Sequence, residues 1–319
     1  MLALPACGFA RSMTTHNVRL DVLCDWLEGS VLFGNAPVSK ADVVDILIEN
    51  EIYDSQDFAN ELLGDAWVEL QRRNTLLGDG YPVVIEARRL KARHSWSKNP
   101  AHSFCLALSL AEWLPAWAQQ FGRDYTKQGE LFELLVAESI AKSLPDWSVH
   151  PTGWKKTKPV KLPGVITALC DWLGESATGN RDRWTRNSAN EAGLDLVCIR
   201  RMADGRPGIP LYLLQCASGV TGNSSWKNKL RTPDLKTWGK LVDFAVRPKR
   251  GFATPFAFME DDFRHYCLAV DGLLLDRYRL LAPSTASTGW LSRSTSVRIC
   301  AWLRPRIREL PTAQTAVVG

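Results

Sequence analysis

Two short apolar runs, separated by turn-forming residues, constrain the fold of this chain more than any other feature. Residues 193–200 and 211–218 are rich in Leu, Val, Ile and Tyr, and residues 204–208 between them read Asp-Gly-Arg-Pro-Gly. Short apolar runs that flank such residues predict a β-hairpin. Asp195 lies at the start of the first run and Gln215 near the end of the second. Antiparallel pairing therefore predicts that these two polar side chains meet at one end of a sheet.

The chemistry of this pair allows two interpretations. A carboxylate and an amide oxygen that converge at a sheet end form a hard-oxygen site suited to Mg²⁺. Alternatively, Asp195 caps a turn and Gln215 is an ordinary polar residue at the end of a strand. The hairpin alone does not decide between them.

A segment that precedes the hairpin carries a second acidic residue of interest. Residues 127–142 place Phe132, Val136 and Ile140 at four-residue steps, which predicts an α-helix. Projection at about 100° per residue puts Glu133 at the centre of the apolar stripe. A buried carboxylate is costly unless it is paired, so we expect a cation beside it. The alternative is that Glu133 reaches the helix edge or caps a nearby loop.

Composition limits the class of protein. Of the 319 residues, 45% are hydrophobic and 23% are charged, which is ordinary for a soluble globular chain with room for two domains. No run approaches the roughly 20 apolar residues of a membrane-spanning helix, so no membrane association is expected. The eight cysteines show no two-residue spacing, which argues against a zinc site and favours a reduced, cytoplasmic compartment. No glycine-rich phosphate-binding loop indicates ATP or GTP chemistry.

The N-terminal part of the chain is predicted to be mainly helical. Helices are expected at residues 17–30, 39–50, 55–73 and 101–119, with a strand at 81–87. Ser39 is the expected N-cap of the second helix, with Asp42 completing a shortened capping box. A basic patch follows the strand: Arg88, Arg89, Lys91 and Arg93. This order resembles a winged helix in outline, and a small helical domain with a solvated basic surface explains it equally well.

A polar stretch near residues 120–127 marks the expected domain boundary. We predict an N-terminal domain at residues 1–120 for recognition or partner binding, a second domain at 121–310, and a flexible tail at 311–319. The second domain is expected to contain a strand at 147–150, a helix near 164–173, a helix at 234–246 and a strand at 255–259, besides the elements described above.

Positive charge is concentrated in two places. Residues 151–190 are predicted to be an insertion whose basic side chains are Lys155, Lys156, Lys158, Lys161, Arg181, Arg183 and Arg186. Trp154 and Trp184 lie among them, a combination typical of nucleic-acid backbone contact with base stacking. From Ser218 onward, basic residues outnumber acidic ones about two to one. Both features favour a polyanionic partner, although a plain solvated surface would have the same composition.

The order of these elements resembles the core of the PD-(D/E)xK nuclease superfamily, the restriction-endonuclease-like fold. The helix with Gly129-x-x-Phe132-Glu133 is followed by a strand, the Asp195–Gln215 hairpin, a helix and a further strand, an αβββαβ order over roughly residues 126–260. The Gln at the strand end is similar to the Mrr-like branch, which uses Gln where other members use Glu. The expected fold class is therefore α/β, with a restriction-endonuclease-like core and a mainly helical N-terminal domain.

This resemblance implies a role for each matching residue. Glu133 matches the helix acid, Asp195 the metal-binding aspartate and Gln215 the first member of the third motif. Together they would hold Mg²⁺, with Mn²⁺ as a substitute, and Cys216 would offer only its backbone carbonyl. A metal ion in such a site polarises the scissile phosphate and lowers the pKa of the attacking water.

One position departs from the family pattern. Strand alternation puts residue 217 on the face of Gln215, where the family places a lysine, and this chain has Ala217. Two explanations compete. In the first, a lysine from the following loop takes over the role, either Lys227 or Lys229, and we prefer Lys229. In the second, the site binds nucleic acid, or nothing, and does not cut.

The expected function is a metal-dependent DNA endonuclease. By fold-level analogy it would be a bacterial restriction or antiphage defence effector, with DNA, a defence-system protein or a second copy of the chain as partners. One alternative is a catalytically inactive DNA-binding protein on the nuclease fold. The other is a protein-assembly subunit of a defence complex, because 13 Trp is a high count and exposed Trp favours protein contacts.

Overall fold

A computed structural model of the protein describes residues 1–9, 18–120, 125–152, 161–179, 181–185, 192–219 and 225–313. It divides into two units. The first consists of Met1–Asp124 together with Leu281–Gly319, and the second of Tyr125–Leu280. The predicted N-terminal domain ended four residues earlier, at residue 120.

The helices of the described residues are numbered in chain order. They are α1 (Leu20–Gly34), α2 (Lys40–Glu49), α3 (Gln56–Leu77), α4 (Pro100–Trp113), α5 (Pro115–Gln120), α6 (Tyr125–Ser143), α7 (Leu162–Leu173), α8 (Arg181–Thr185), α9 (Leu235–Trp238), α10 (Glu260–Val270), α11 (Arg277–Leu281) and α12 (Arg293–Arg308). None of these helices in the described part of the chain is long and apolar enough to cross a membrane.

The strands fall into three sheets. They are β1 (Val38–Ser39), β2 (Val83–Ile85), β3 (Arg89–Ala92), β4 (Ser148–Pro151), β5 (Ser176–Ala177), β6 (Leu196–Ile199), β7 (Leu211–Cys216), β8 (Val242–Asp243), β9 (Lys249–Ala253) and β10 (Gly272–Leu275). The sheet orders are β1-β3-β2, β10-β9-β7-β6-β4 and β5-β8. The five-stranded sheet is mixed, because β4, β6 and β7 pair antiparallel whereas β7, β9 and β10 pair parallel. The predicted α/β class is confirmed at this level.

In the first unit, helices and short strands alternate in the order α1-β1-α2-α3-β2-β3. Ser39 caps α2 as predicted: its hydroxyl accepts from the Asp42 backbone N–H, and the Asp42 carboxylate accepts from the Ser39 N–H. The predicted helix over 101–119 is broken at Leu114. The break follows from Pro115, which has no N–H to donate and disfavours helical geometry in the residue before it.

The core of the first unit contains a buried ionic network. Arg73 is fully buried, and its Nη1 lies 2.8 Å from Asp25 Oδ1 and 2.7 Å from Glu28 Oε1. Its Nε donates to Glu69 Oε1 over 3.1 Å, and the Tyr81 hydroxyl donates to Glu28 Oε1 over 2.8 Å. Buried charges are tolerated when they are paired in this way, so the network ties α1 to α3.

The predicted basic patch of the first unit is partly neutralised by its neighbours. Arg89 and Lys91 both pair with Glu86, and Arg93 Nη1 lies 3.2 Å from Asp79 Oδ1. Exposed pairs of this kind contribute little to stability, but they reduce the positive potential that a phosphate would meet.

The C-terminal segment belongs to the first unit, and the prediction that residues up to 310 join the second domain is wrong. The apolar face of α12 packs on α4, where Trp302 meets Phe104 edge-on at a centroid distance of 5.2 Å. The Trp117 indole N–H donates to the Arg306 carbonyl over 2.9 Å. The predicted flexible tail is also wrong for its first residues, because Thr312 forms a β-bridge with Leu2.

In the second unit, one apolar cluster covers a face of the β6–β7 hairpin. It joins Val197 and Leu213 to Leu169 of α7 and to the fully buried Trp238. The predicted strand near 147–150 and helix near 164–173 are present as β4 and α7.

Two further predictions in the second unit are wrong. The helix expected at 234–246 is helical only at Leu235–Trp238, and β8 follows shortly after it. The strand expected at 255–259 lies earlier, at Lys249–Ala253. Pro255 has no N–H for a ladder, and Phe256 and Phe258 are apolar because they pack around Trp226.

Candidate functional site

The end of the β6–β7 hairpin brings Asp195 next to Gln215. Leu196 pairs with Leu214 as the last pair of the ladder, and the Asp195 N–H then donates to the same Leu214 carbonyl over 2.9 Å, so the ladder becomes irregular at Asp195. The Gln215 amide nitrogen donates to Asp195 Oδ2, and the Cys216 N–H donates to the same oxygen over 2.6 Å. Both side chains are buried, with 6% of Asp195 and 5% of Gln215 exposed.

The end of β4 fixes Asp195 from its other side. The Thr152 N–H donates to the Asp195 carbonyl over 3.0 Å, and the Thr152 hydroxyl donates to the Leu194 carbonyl. Asp195 is therefore held between two neighbouring strands, and its carboxylate has little freedom to move.

Gly193 allows a loop to close over the pair. Its φ is +71°, and a Cβ at this position would lie 2.2 Å from Thr232 Cγ2 and 3.2 Å from Gln215 Oε1. Only glycine adopts this backbone conformation readily without a clash. The close approach brings the segment around Thr232 next to the Asp195–Gln215 pair.

Glu133 of α6 lies near the same strand end. Burial raises the pKa of the Cys216 thiol well above its ordinary value, and the negative charges of Asp195 and Glu133 raise it further. Gln128 Nε2 donates to Ser218 Oγ over 3.1 Å, which ties the start of α6 to the segment that follows β7. Both carboxylates therefore act on one point of the structure, the side chain of Cys216.

The prediction that Glu133 lies at the centre of the buried stripe of α6 is wrong. The buried residues of this helix are Leu131, Phe132, Leu135, Val136, Ser139 and Ile140. Their centre is Phe132 and Ser139, whereas Glu133 is half-buried at the flank. The apolar pattern misled because Leu131, Leu135 and Ser139 are also buried, which moves the centre of the buried face away from Glu133.

Ala217, the residue at which the nuclease resemblance implies a lysine, belongs to the core. Ala217 is 2% exposed and packs with Trp226 and Phe252, and its N–H donates to the Ala253 carbonyl over 2.9 Å. An ammonium group has no room or solvation there.

The two candidate lysines occupy different environments. Lys227 is exposed, with its Nζ 5.6 Å from the centre of the Trp226 ring. Lys229 is half-buried, and its carbonyl accepts from the Thr232 N–H over 2.8 Å. Lys229 therefore begins the turn that approaches Gln215.

The oxygen atoms around this strand end are of the types that bind a hard cation. Two carboxylates, an amide oxygen and the Cys216 carbonyl are the ligands that Mg²⁺ and Mn²⁺ accept. Gln215 presents its amide nitrogen to Asp195, so its amide must turn over for Oε1 to bind a cation beside that carboxylate. Within the described residues, no group of three or more His, Cys, Asp and Glu side chains is placed to hold a metal ion. A cation would thus depend on Gln215 and on backbone oxygens as well as on the acids.

The basic side chains predicted to contact nucleic acid are divided by what the structure describes. Lys155, Lys156, Lys158 and Arg186 lie outside the described residues, as does Trp154. Lys161 is exposed at the start of α7, and Arg181 and Arg183 are exposed on α8. Arg181 Nε lies 3.7 Å from Asp182 Oδ1, an exposed pair.

Sequence reasoning missed a second buried acid in the described part of the second unit, Asp276, which directly follows β10. Burial raises the pKa of Asp276 to about 6. A hydrogen bond from the Arg279 backbone N–H and the positive charges of Arg279 and Arg277 lower this pKa, but burial has the larger effect. Its only sequence signal is an acid directly after the apolar run Gly272–Leu275. Thr152 and Thr232 were missed for a similar reason, since a single threonine in a loop carries no pattern.

These features define a sheet-end site built from oxygen donors on a mixed α/β scaffold. Comparisons of the chain with protein-family models, with curated proteins and with solved structures give no match.

Proposed function

We propose that this protein is a metal-dependent endonuclease that hydrolyses phosphodiester bonds of DNA. The observation that carries the proposal is the hydrogen-bonded pair of Asp195 and Gln215 at the end of the β6–β7 hairpin, with Glu133 beside the same strand end. The proposal adds Glu133 as a third oxygen donor to the hydrogen-bonded pair of Asp195 and Gln215.

The element order supports the proposal. Helix α6, strands β4, β6 and β7, the short helix α9 and strand β9 occur in the order α, β, β, β, α, β once the intervening α7, β5, α8 and β8 are set aside. The sheet keeps β4, β6, β7 and β9 as sequential neighbours. This order resembles the αβββαβ order of restriction-endonuclease-like cores, although α9 is only four residues long. The order α1-β1-α2-α3-β2-β3 in the first unit likewise supports a winged-helix arrangement.

Each residue has a defined task in this proposal. Asp195, held by Thr152 and by the Cys216 N–H, is the fixed carboxylate ligand. Glu133 and the oxygen of Gln215 complete the side-chain donors. A bound Mg²⁺ supplies Lewis-acid activation of the phosphate and of water. Lys229 is the candidate to orient the water, because its turn approaches Gln215.

A plasmid-nicking assay tests the proposal. Supercoiled DNA is incubated with the protein in Mg²⁺, in Mn²⁺ or in EDTA. We expect nicking with either metal, none in EDTA, and loss of nicking in the Asp195→Ala and Glu133→Gln variants. Glu138→Gln, on the same helix, is the matched control and retains nicking. Nicking that survives Asp195→Ala, or no nicking under either metal, would refute the assignment.

A second candidate is a DNA-binding protein on the same fold that does not cut. The observation that favours it is Ala217, whose burial excludes a lysine at the motif position. Lys229→Ala separates the two candidates. If nicking is lost in Lys229→Ala and kept in Lys227→Ala, the lysine role has moved to the loop, whereas DNA binding without nicking in every form favours the inactive protein.

A further inference from the structure

We propose that the solvent face of α12 is a DNA-backbone docking surface. Arg293, Arg304 and Arg308 are all exposed. At about 100° per residue their side chains project within roughly 60° of one another. The opposite face holds Ile299, Trp302 and Leu303, which are buried in the first unit. The helix therefore separates a core-facing apolar side from a cationic side that faces water.

The positive charge of this face is not required by the fold. The arginine that the fold does use is Arg306, which is buried, donates from Nη1 to the Trp302 carbonyl over 2.7 Å and stacks 3.7 Å from the Trp302 ring. Arg293 lies in the first turn, where the helix dipole disfavours a cation. Arg308 lies in the last turn, where the dipole favours a cation, so the charges that the helix itself does not account for are those of Arg293 and Arg304. An external anion is the partner that we assign to them.

The chemistry of the face selects a nucleic acid over a membrane. A helix that binds a lipid surface needs an exposed apolar side, and the apolar side of α12 is already buried in the core. Val297 is the large apolar side chain exposed between the arginines. From Arg293 to Arg308 the helix rises about 22 Å at 1.5 Å per residue. DNA of that length presents about a dozen phosphate charges.

The first unit offers no comparable surface on α3, the helix that reads DNA in a winged-helix arrangement. Its exposed residues include Asp57, Glu61 and Asp65, spaced four apart and hence on one side of the helix. Three carboxylates in a row repel phosphate. Of these two helices, α12 is therefore the one whose exposed face attracts phosphate.

This inference rests on the proposed function only for the choice of DNA as the polyanion, and it is tested without catalysis. Binding of the full-length protein to a generic 30-base-pair duplex is measured in EDTA by fluorescence anisotropy across a series of salt concentrations. The test variant is Arg293→Gln/Arg304→Gln/Arg308→Gln. The matched control is Arg200→Gln/Arg201→Gln/Arg206→Gln, which removes three exposed arginines from the loop between β6 and β7. Circular dichroism and thermal melting check that each variant is folded.

We expect the α12 variant to bind at least about tenfold more weakly than the wild type and its salt slope to fall by about 2 to 3, near 0.9 per lost phosphate contact. The control should keep the wild-type affinity and slope. An α12 variant with unchanged affinity, or a control that weakens equally, overturns the proposal. Wild-type protein that binds anionic vesicles of phosphatidylserine but not the duplex also overturns it.

Failure of this proposal stays distinct from failure of the nuclease proposal, because duplex binding is measured in EDTA and does not require cutting. Duplex binding that depends on α12, with no nicking under either metal, would support the docking surface and refute the nuclease.

Discussion

At the scale of single residues, the candidate site depends on close contacts as much as on its polar groups. Asp195 accepts two hydrogen bonds on one oxygen, so its orientation is set before any ligand arrives. Such preorganisation is what a catalytic or binding site requires of the residues that hold it. Gly193 contributes without touching a ligand, because it admits Thr232 to the position next to Gln215.

Substitution of Gly193 tests this packing directly. Gly193→Ala should lower the free energy of unfolding by more than the roughly 1 kcal/mol that a left-handed alanine costs, because the new Cβ also meets Thr232. Gly205→Ala is a matched control: its φ is +66°, and nothing lies within 4 Å of the added Cβ. Urea unfolding of the two variants measures the difference. Equal destabilisation would show that the Thr232 contact is not tight.

The buried carboxyl of Asp276 makes stability depend on pH. Its pKa is about 6 in the folded protein, above its ordinary value of 3.8, so folding favours the protonated form. Stability from this group is fully present below about pH 4 and is lost as the pH rises through 6. Across this pH range, the contribution of Asp276 to the free energy of unfolding falls by on the order of 3 kcal/mol.

The measurement compares urea unfolding at pH 4.5 and pH 7. Asp276→Asn should remove this part of the pH dependence, so that the variant loses less stability on going to pH 7 than the wild type. Asp243→Asn, an exposed aspartate of β8, is the control and should follow the wild type. If Asp276→Asn and the wild type show the same pH dependence, the carboxyl is ionised in the fold at a normal pKa.

At the scale of elements, local sequence signals identified most helices and strands but not their packing. The β6–β7 hairpin could be predicted because turn residues lie between two apolar runs, and antiparallel pairing then gave the proximity of Asp195 and Gln215. The capping box of α2 could be predicted because it is entirely local. The buried face of α6 could not, because which apolar residues are buried depends on the sheet against which the helix packs.

The apolar residues around Pro255 show the same limit. Phe256 and Phe258 have the composition of a strand, yet they are buried by aromatic contacts with Trp226 and not by a ladder. Sequence alone does not distinguish these two causes of burial. Glu133 was identified for an incorrect reason, since its half-buried position near Cys216 follows from where α6 meets β7 and not from the centre of a stripe.

At the scale of the whole molecule, the units are not consecutive stretches of chain. Residues 281–319 follow the second unit in sequence and belong to the first. A reading from one end of the chain to the other cannot detect this, because composition changes little where the chain returns. The tertiary reason is the apolar face of α12, which needs a partner and finds it in Phe104 of α4.

Deletion of residues 282–319 should therefore destabilise the first unit and spare the candidate site. Loss of α12 exposes Phe104 and Trp117. Loss of the preceding turn removes Ser284, which packs closely against Gly80: a Cβ on Gly80 would lie 2.5 Å from the Ser284 carbonyl oxygen. Hydrogen exchange followed by mass spectrometry should show α4 losing protection while the β6–β7 hairpin keeps it. A chain that ends at Ala313 is the control, because it retains α12 and the pairing of Thr312 with Leu2. Loss of protection at Asp195 and Gln215 with α4 unchanged would instead place the C-terminal segment in the second unit.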